Sequence, residues 1–145
     1  MSEAIVISPA DRHDRAEIVQ LWLLCGLVHP YNPPEHAFDF ARGRDGSDIL
    51  VLRLSGEVIG AVMVGHDGHR GWIYYLAVDP DHQRQGHGER LVWAAEQWLL
   101  DRHVRKCQLM VRETNVDVVG FYDRLGYERS PVTVMQRWLD GTEVS

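Results

Sequence analysis

The feature that most constrains this chain is a change of period at one point. Gly71 to Val78 (GWIYYLAV) is dense in β-branched and aromatic residues and stops at Asp79-Pro80, which marks a strand and its terminator. After a short loop, the apolar positions Leu91, Val92, Ala95, Trp98 and Leu99 recur at helical spacing over Gly86 to Arg102. Lys106 to Arg112 (KCQLMVR) then reads as another buried strand. Strand, helix and strand in that succession imply a right-handed crossover and one parallel strand pair.

The rest of the chain completes a single layered plan. Ala4 to Ser8 reads as a first short strand, and Ser8 or Asp11 can cap the helix that follows. Ile18, Leu21, Trp22 and Cys25 form that helix's apolar stripe, and Gly26 with Pro30 ends it. His29-Pro30-Tyr31-Asn32-Pro33-Pro34 is a stiff connection into a shorter helix from Glu35 to about Arg42. Asp48 to Leu54, a Ser55-Gly56 turn, Val58 to Gly65, an Asp67-Gly68 hairpin signal and Gly71 to Val78 make three consecutive antiparallel strands. Val116 to Leu125 reads as a helix capped by Asn115 and closed by Gly126, and Val132 to Leu139 as a last strand. The expected class is α+β: a central, mostly antiparallel mixed sheet with one parallel pair and helices on both faces. With 145 residues, 45% hydrophobic, one domain over 1–145 is expected, long enough to bury a core without staples.

Charge excludes some partners. Lys and Arg total 15 against 21 Asp and Glu, a net charge of −6, and Lys106 is the one lysine. A net-negative chain without a basic run does not fit a general nucleic-acid binder or an anionic-membrane binder, but it leaves room for a local arginine-lined pocket. Cys25 and Cys107 match neither a disulfide framework nor a CxxC site. The beginning of the sequence lacks a basic n-region, and the longest greasy stretch, Ile18 to Val28, falls well short of the ~20 residues that span a bilayer. The expected location is a reducing cytoplasm.

Chemistry concentrates in the loop from Leu76 to Leu91. Glycines at Gly86 and Gly88 let backbone approach a ligand, and the amides of the following helical turn point at it, a geometry suited to a phosphate or pyrophosphate. A Walker A loop would end in Gly-Lys-Ser/Thr, whereas this one continues Gly88-Glu89-Arg90. A dinucleotide fingerprint needs a small residue where Leu91 stands.

The run Gln83-Arg84-Gln85-Gly86-His87-Gly88, preceded by LAVDPDHQRQ and followed by ERLVWAAE, resembles the (Arg/Gln)-x-x-Gly-x-(Gly/Ala) signature of the GNAT superfamily of acyl-CoA-dependent N-acetyltransferases. Asn115 followed by Phe121-Tyr122-Asp123-Arg124-Leu125-Gly126-Tyr127 is similar to that family's Asn…YxxxG(F/Y) ending. The resemblance implies a GNAT-like fold and transfer of an acetyl group from acetyl-CoA, the cosubstrate, to a primary amine. It further implies that Leu76, Ala77 and Val78 offer backbone groups to the pantetheine arm, at a splay from the strand around Leu109. Arg84 to Glu89, with Gln83, Gln85 and His87 in the same loop, would hold the CoA pyrophosphate on their amides. Asn115 would bond the pantetheine or cap its helix, and Tyr122 would lie near the thioester sulfur as general acid.

Several assignments stay open on the sequence. Many members carry a glutamate general base in the fourth strand, but GWIYYLAV has no carboxylate; Tyr74, Tyr75 or a water relayed by His66, Asp67 or His69 are the alternatives. Tyr122 lies at helical spacing with Phe121 and Leu125 and so also fits a core position. The histidines around Asp67-Gly68 are better explained as flanks of a hairpin than as metal ligands, and no metal is expected. The connector points to an acceptor contact at Tyr31 and Asn32, with Tyr74 across the cleft. Trp93, near the polar side of its helix, is the candidate contact of a homodimer. A non-catalytic acyl-CoA sensor is the alternative function, and the acceptor is either a small molecule or a protein N-terminus.

Overall fold

The computed structural model describes residues 4–142, which divide into two compact units, 4–109 and 110–142. The first holds a five-stranded sheet in the order β1-β2-β3-β4-β5. Its strands are β1 (Ile5–Pro9), β2 (Ser47–Leu54), β3 (Glu57–His66), β4 (Gly71–Val78) and β5 (Cys107–Leu109). Neighbours from β1 to β4 pair antiparallel, and β4 pairs β5 in parallel through Gly71↔Cys107, Trp72↔Gln108 and Ile73↔Leu109. The expected parallel pair is therefore present. β5 is shorter than the predicted Lys106–Arg112, and its ladder ends at Leu109.

Strand alternation sends two sets of side chains to opposite faces. Ile49, Val51, Ala61 and Ala77 join Ile18, Trp22 and Phe38 in one core beneath α1 (Arg15–Leu24) and α2 (Pro34–Ala41). Gly60 and Gly71 turn to the other face, where α3 (His87–Leu100) lies. A Cβ on Gly60 would stand 2.9 Å from Leu91 Cδ1, and one on Gly71 would stand 2.6 Å from Leu99 Cδ1. The two glycines let α3 seat Leu91, Val92, Ala95 and Leu99 directly on the sheet, and each larger side chain contributes about 1.5–3 kcal/mol by leaving water. Helices thus cover both faces, as expected. The first helix enters through a short 3-10 turn, Arg12–Asp14, with Asp11 as its cap in a capping box with Asp14; Ser8 remains in β1.

The second unit holds α4 (Val116–Arg124), whose cap is Asn115: its side-chain oxygen accepts from the Val118 N–H at 3.4 Å. The strand expected at Val132 to Leu139 is absent. That stretch belongs to no ladder, and Val132, Val134, Met135 and Leu139 are exposed. β-propensity describes a fit to a pleated, half-buried surface, and without a partner strand it produces no strand of its own. Among the described residues no helix is long and apolar enough to cross a membrane. Trp98 is buried in α3, whereas Trp93 is 56% exposed.

Candidate active site

The site is built around a fault in β4. Opposite residues on β3 and β4 are Ala61↔Ala77, Met63↔Tyr74 and Val64↔Ile73, so two steps along β3 answer three along β4. The extra residue is a bulge at Tyr75, whose φ of 50° lies in the left-handed region. A non-glycine residue held there costs on the order of 1–3 kcal/mol, and such strain gathers where a strand must aim a side chain. Here the bulge brings Tyr74 and Tyr75 to the same face. Tyr74 opposes Met63, and both Met63 and Tyr75 pack on the core beneath α1.

Tyr75 is stacked on Trp22 at 4.6 Å between ring centroids, and its phenolic oxygen accepts from Asn32 Nδ2 at 3.3 Å. Burial pushes its phenol above the usual tyrosine range against the opposing hydrogen bond from Asn32. Tyr31 is exposed and stacks on His29 at 5.5 Å. Of the three expected acceptor contacts, Asn32 therefore meets the bulge residue itself, while Tyr74 opens into a groove beside it. That groove, about 380 Å³, is walled by Ser47, His66, Asp67, Trp72 and Tyr74.

Beyond Ile73 the edge of β4 has no partner strand among the described residues. The Asp79 N–H bonds Ile59 across the β3 side, so alternation turns the peptide groups of Leu76 and Val78 to the open edge. The Val78 carbonyl is already engaged. It accepts from Gln83 Nε2 at 3.1 Å and from Cys25 Sγ at 3.3 Å. Gln83 thus closes the loop back onto the strand end, a role not read from the sequence. Ala77 is buried on the α1 side.

The open edge leads through a 3-10 turn, Pro80–His82, to the start of α3. Two consecutive features bend the chain there: Arg84 has φ 63°, and Gly86, the residue before α3, has φ 82°. Gly86 brings no capping side chain, and the Arg90 amide closes the first turn of α3 onto the Gly86 carbonyl at 3.1 Å. The Gly88 and Glu89 amides accordingly point out of the N-terminal turn, where the helix dipole is positive. Arg90 folds back over this turn, donating to the Gln85 carbonyl at 3.0 Å and lying 3.2 Å from Nδ1 of the buried His87. Together with Arg84 it adds positive charge to an otherwise acidic chain. Arg90 also went unread in the sequence.

In the second unit Tyr122 is buried, with its ring edge-on to Phe121 at 5.0 Å and to Tyr127 at 5.5 Å. The hairpin between β3 and β4 accounts for its polar residues locally. Asp67 Oδ1 accepts from the His69 and Arg70 amides, and His66 Nδ1 accepts from the Gly68 amide. Among the described residues no three His, Cys, Asp or Glu side chains are grouped to hold a metal ion.

Known proteins match this arrangement. The family model for the acetyltransferase (GNAT) family matches residues 13–127. An acetyltransferase of Yersinia enterocolitica is 38% identical over 126 residues, covering 87% of this chain and 89% of the relative, and an acetyltransferase of Yersinia pestis is 37% identical over the same shares. Among solved structures, aminoglycoside N-acetyltransferase AAC(6')-Iy in complex with CoA superposes with a TM-score of 0.81 at 15% identity, over 96% of this chain and 97% of that one. The ribosomal-protein-alanine N-acetyltransferase of Brucella melitensis biovar Abortus gives 0.75 at 18% identity, over 93% and 100%. The sheet with its single parallel pair, the bulge in β4, the glycine turn before α3 and these matches agree: the chain belongs to the GNAT acetyltransferase family.

Proposed function

We propose that this chain transfers the acetyl group of acetyl-CoA to a primary amine by direct attack. The observation that carries the reading is the open edge of β4 leading, through the Pro80–His82 turn, to an N-terminal turn of α3 that no side chain caps. A pantetheine arm fits the Leu76 peptide group and the Val78 N–H as a short extra strand, the Val78 carbonyl being held by Gln83 and Cys25, and a pyrophosphate fits the amides between Arg84 and Glu89, with Arg84 and Arg90 beside it. The bound cosubstrate supplies the reactive thioester; the chain's residues supply position and protons. Tyr31, Asn32 and Tyr74 border the acceptor, and Asn115 holds the start of α4. The amine nitrogen, neutral at the moment of attack, forms the N–C bond as the C–S bond breaks. Tyr122 protonates the departing thiolate, and the new amide releases its extra proton to water. No cysteine intermediate is needed: burial raises the Cys25 thiol above its usual range, where it is a poor nucleophile.

The family match crosses the division at Leu109, which supports reading both units as one domain. A cytoplasmic location and a homodimer through exposed Trp93 complete the reading. The test is a thermal scan with CoA. Ligand at ~100 times Kd contributes about 2.7 kcal/mol, a rise of about 5–10 °C for a chain of this size. Gly86→Val should remove most of the rise, because a side chain there meets both the left-handed φ and Arg90 Nη1 at 3.3 Å. A wild-type chain with no CoA-dependent rise overturns the reading.

A further inference from the structure

The groove at the head of the β3–β4 hairpin has a composition that the transfer step itself does not require. Trp72 and Tyr74 stand side by side on one wall, 6.4 Å apart and 22° from parallel, with Tyr74 40% exposed. Asp67 lines the same groove, its Oδ2 accepting from the Trp72 indole N–H at 3.3 Å, and among the described residues no lysine or arginine lines the cavity. Backbone amides of Arg70 and His69 hold the Asp67 carboxyl below its ordinary range, so it is charged at any physiological pH. An anion bonded at the indole edge of one ring of a stacked aromatic pair, with no arginine or lysine among the described residues of the wall, attracts positive charge through the carboxylate, and the two ring faces add to it.

The groove is also placed to matter for the reaction. Tyr74 is the first residue past the last β4–β5 pair, Ile73↔Leu109, so the groove begins where the open edge of β4 begins. A molecule lying in it would reach along β4 toward the reacting position. Resting on the amine-transfer reading above, the geometry points to a cation subsite that selects acceptors bearing a second positive charge: compact diamines and polyamines, or other amines with a second ammonium. One nitrogen stays protonated over Trp72 and Tyr74 beside Asp67, and the other, neutral, attacks the thioester. The anchored charge orients the acceptor before the step, which is where such contacts improve turnover.

Two measurements test this. In the first, kcat/KM for 1,4-diaminobutane is compared with that for n-butylamine. The wild type should prefer the diamine at least tenfold, and Asp67→Asn, which keeps the turn's oxygen acceptor and removes the charge, should cut the preference to less than about threefold. Tyr74→Leu, at an exposed position where folding is not at risk, should lower it as well. In the second, tetramethylammonium, which cannot be acetylated, is titrated by calorimetry into the chain with and without CoA; wild type should bind it saturably and Asp67→Asn at least fivefold more weakly. Equal turnover of the two amines, or no saturable tetramethylammonium binding, overturns the subsite. Failure of the transferase reading looks different: no amine is acetylated and CoA gives no thermal rise, while the tetramethylammonium titration still decides the subsite.

Discussion

Asn32, in the proline-rich connector, donates its side-chain amide to the phenolic oxygen of Tyr75, the bulged residue of β4, at 3.3 Å. One hydrogen bond thereby ties the loop between α1 and α2 to the point where β4 departs from its ladder. Pro30, Pro33 and Pro34 limit what the loop can do on its own, and the bond to Tyr75 selects one of its remaining positions. Because Tyr75 is also stacked on Trp22, the position is passed to the core beneath α1.

Tyr75→Phe removes the hydroxyl and keeps the ring stack, so the fold should lose no more than about 0.5–1.5 kcal/mol, the net worth of one hydrogen bond. Its functional effect should be selective: KM for the amine rises three- to tenfold while KM for acetyl-CoA stays within twofold. Asn32→Ala should do the same. Steady-state kinetics with each substrate varied in turn decides it, and equal changes in both constants would mean that the pair only supports the fold.

Neither tyrosine of the bulge nor Asp67 is a good acceptor for the proton of the attacking amine. Tyr74 and Tyr75 both titrate above the usual tyrosine range, chiefly through burial, and so stay protonated near neutrality. Asp67 is displaced the other way and is a weak base. The pH profile should then follow the acceptor itself. Log kcat/KM for the amine is expected to climb with unit slope from about pH 6 to 9, toward an amine pKa of ~10. A plateau well below the pKa of the amine would assign the proton to a side chain, with His66 and His69 first to be replaced.

Acid stability should depend on one partly buried pair. Arg53 on β2 donates to the Asp14 carboxylate at the entry to α1, with side-chain exposures of 27% and 12%. Burial alone would raise the Asp14 pKa, but the Arg53 hydrogen bond and charge and the Asp11 amide outweigh it, and the folded-state value is lowered from 3.8. A depressed carboxylate stabilises the fold above its unfolded pKa and ceases to as pH falls through the folded one. The melting temperature should therefore hold between pH 7 and 5 and drop below about pH 4. Arg53→Met should lower stability at pH 7 by about 1–3 kcal/mol, having left the carboxylate without its partner, and should flatten the acid limb. Calorimetric scans across pH check both.

What could be read from the sequence was whatever repeats or punctuates. The strands and α-helices of the first unit follow from apolar period and from Gly, Pro and Asp at the turns, though not the two 3-10 turns or the early end of β5, and the glycine loop was visible because only a few anion-binding loops have that form. The bulge at Tyr75 had no such signal. GWIYYLAV reads as an unbroken strand, and the left-handed residue is a tyrosine where pattern reasoning expects a glycine or asparagine. The bond from Asn32 to Tyr75 joins residues far apart in sequence, as does that from Cys25 to Val78, and no local pattern encodes either. The false strand at Val132 to Leu139 errs in the opposite direction: its β-forming residues are real, but pairing depends on a partner that composition does not specify.

Tyr122 offers the sharpest test of the proposed chemistry. Its ring is buried and held edge-on by Phe121 and Tyr127, so the side chain has a structural role whatever its hydroxyl does. Attack on the thioester expels a thiolate whose conjugate acid has a pKa near ~8.5, while a phenol near ~10 keeps its proton at neutral pH until that charge develops. Positioned proton transfer of this kind is worth ~10²- to 10⁴-fold, or about 3–5 kcal/mol of barrier. Tyr122→Phe deletes the hydroxyl and retains both edge contacts, which separates the two roles. The expected result is a kcat at least tenfold lower, with the CoA-dependent thermal rise kept and the melting temperature without CoA within a few degrees of wild type. A thioester with a better leaving group should recover part of the loss, since a less basic thiolate needs less help from an acid. If kcat stays within twofold of wild type, Tyr122 is a packing residue and water protonates the sulfur.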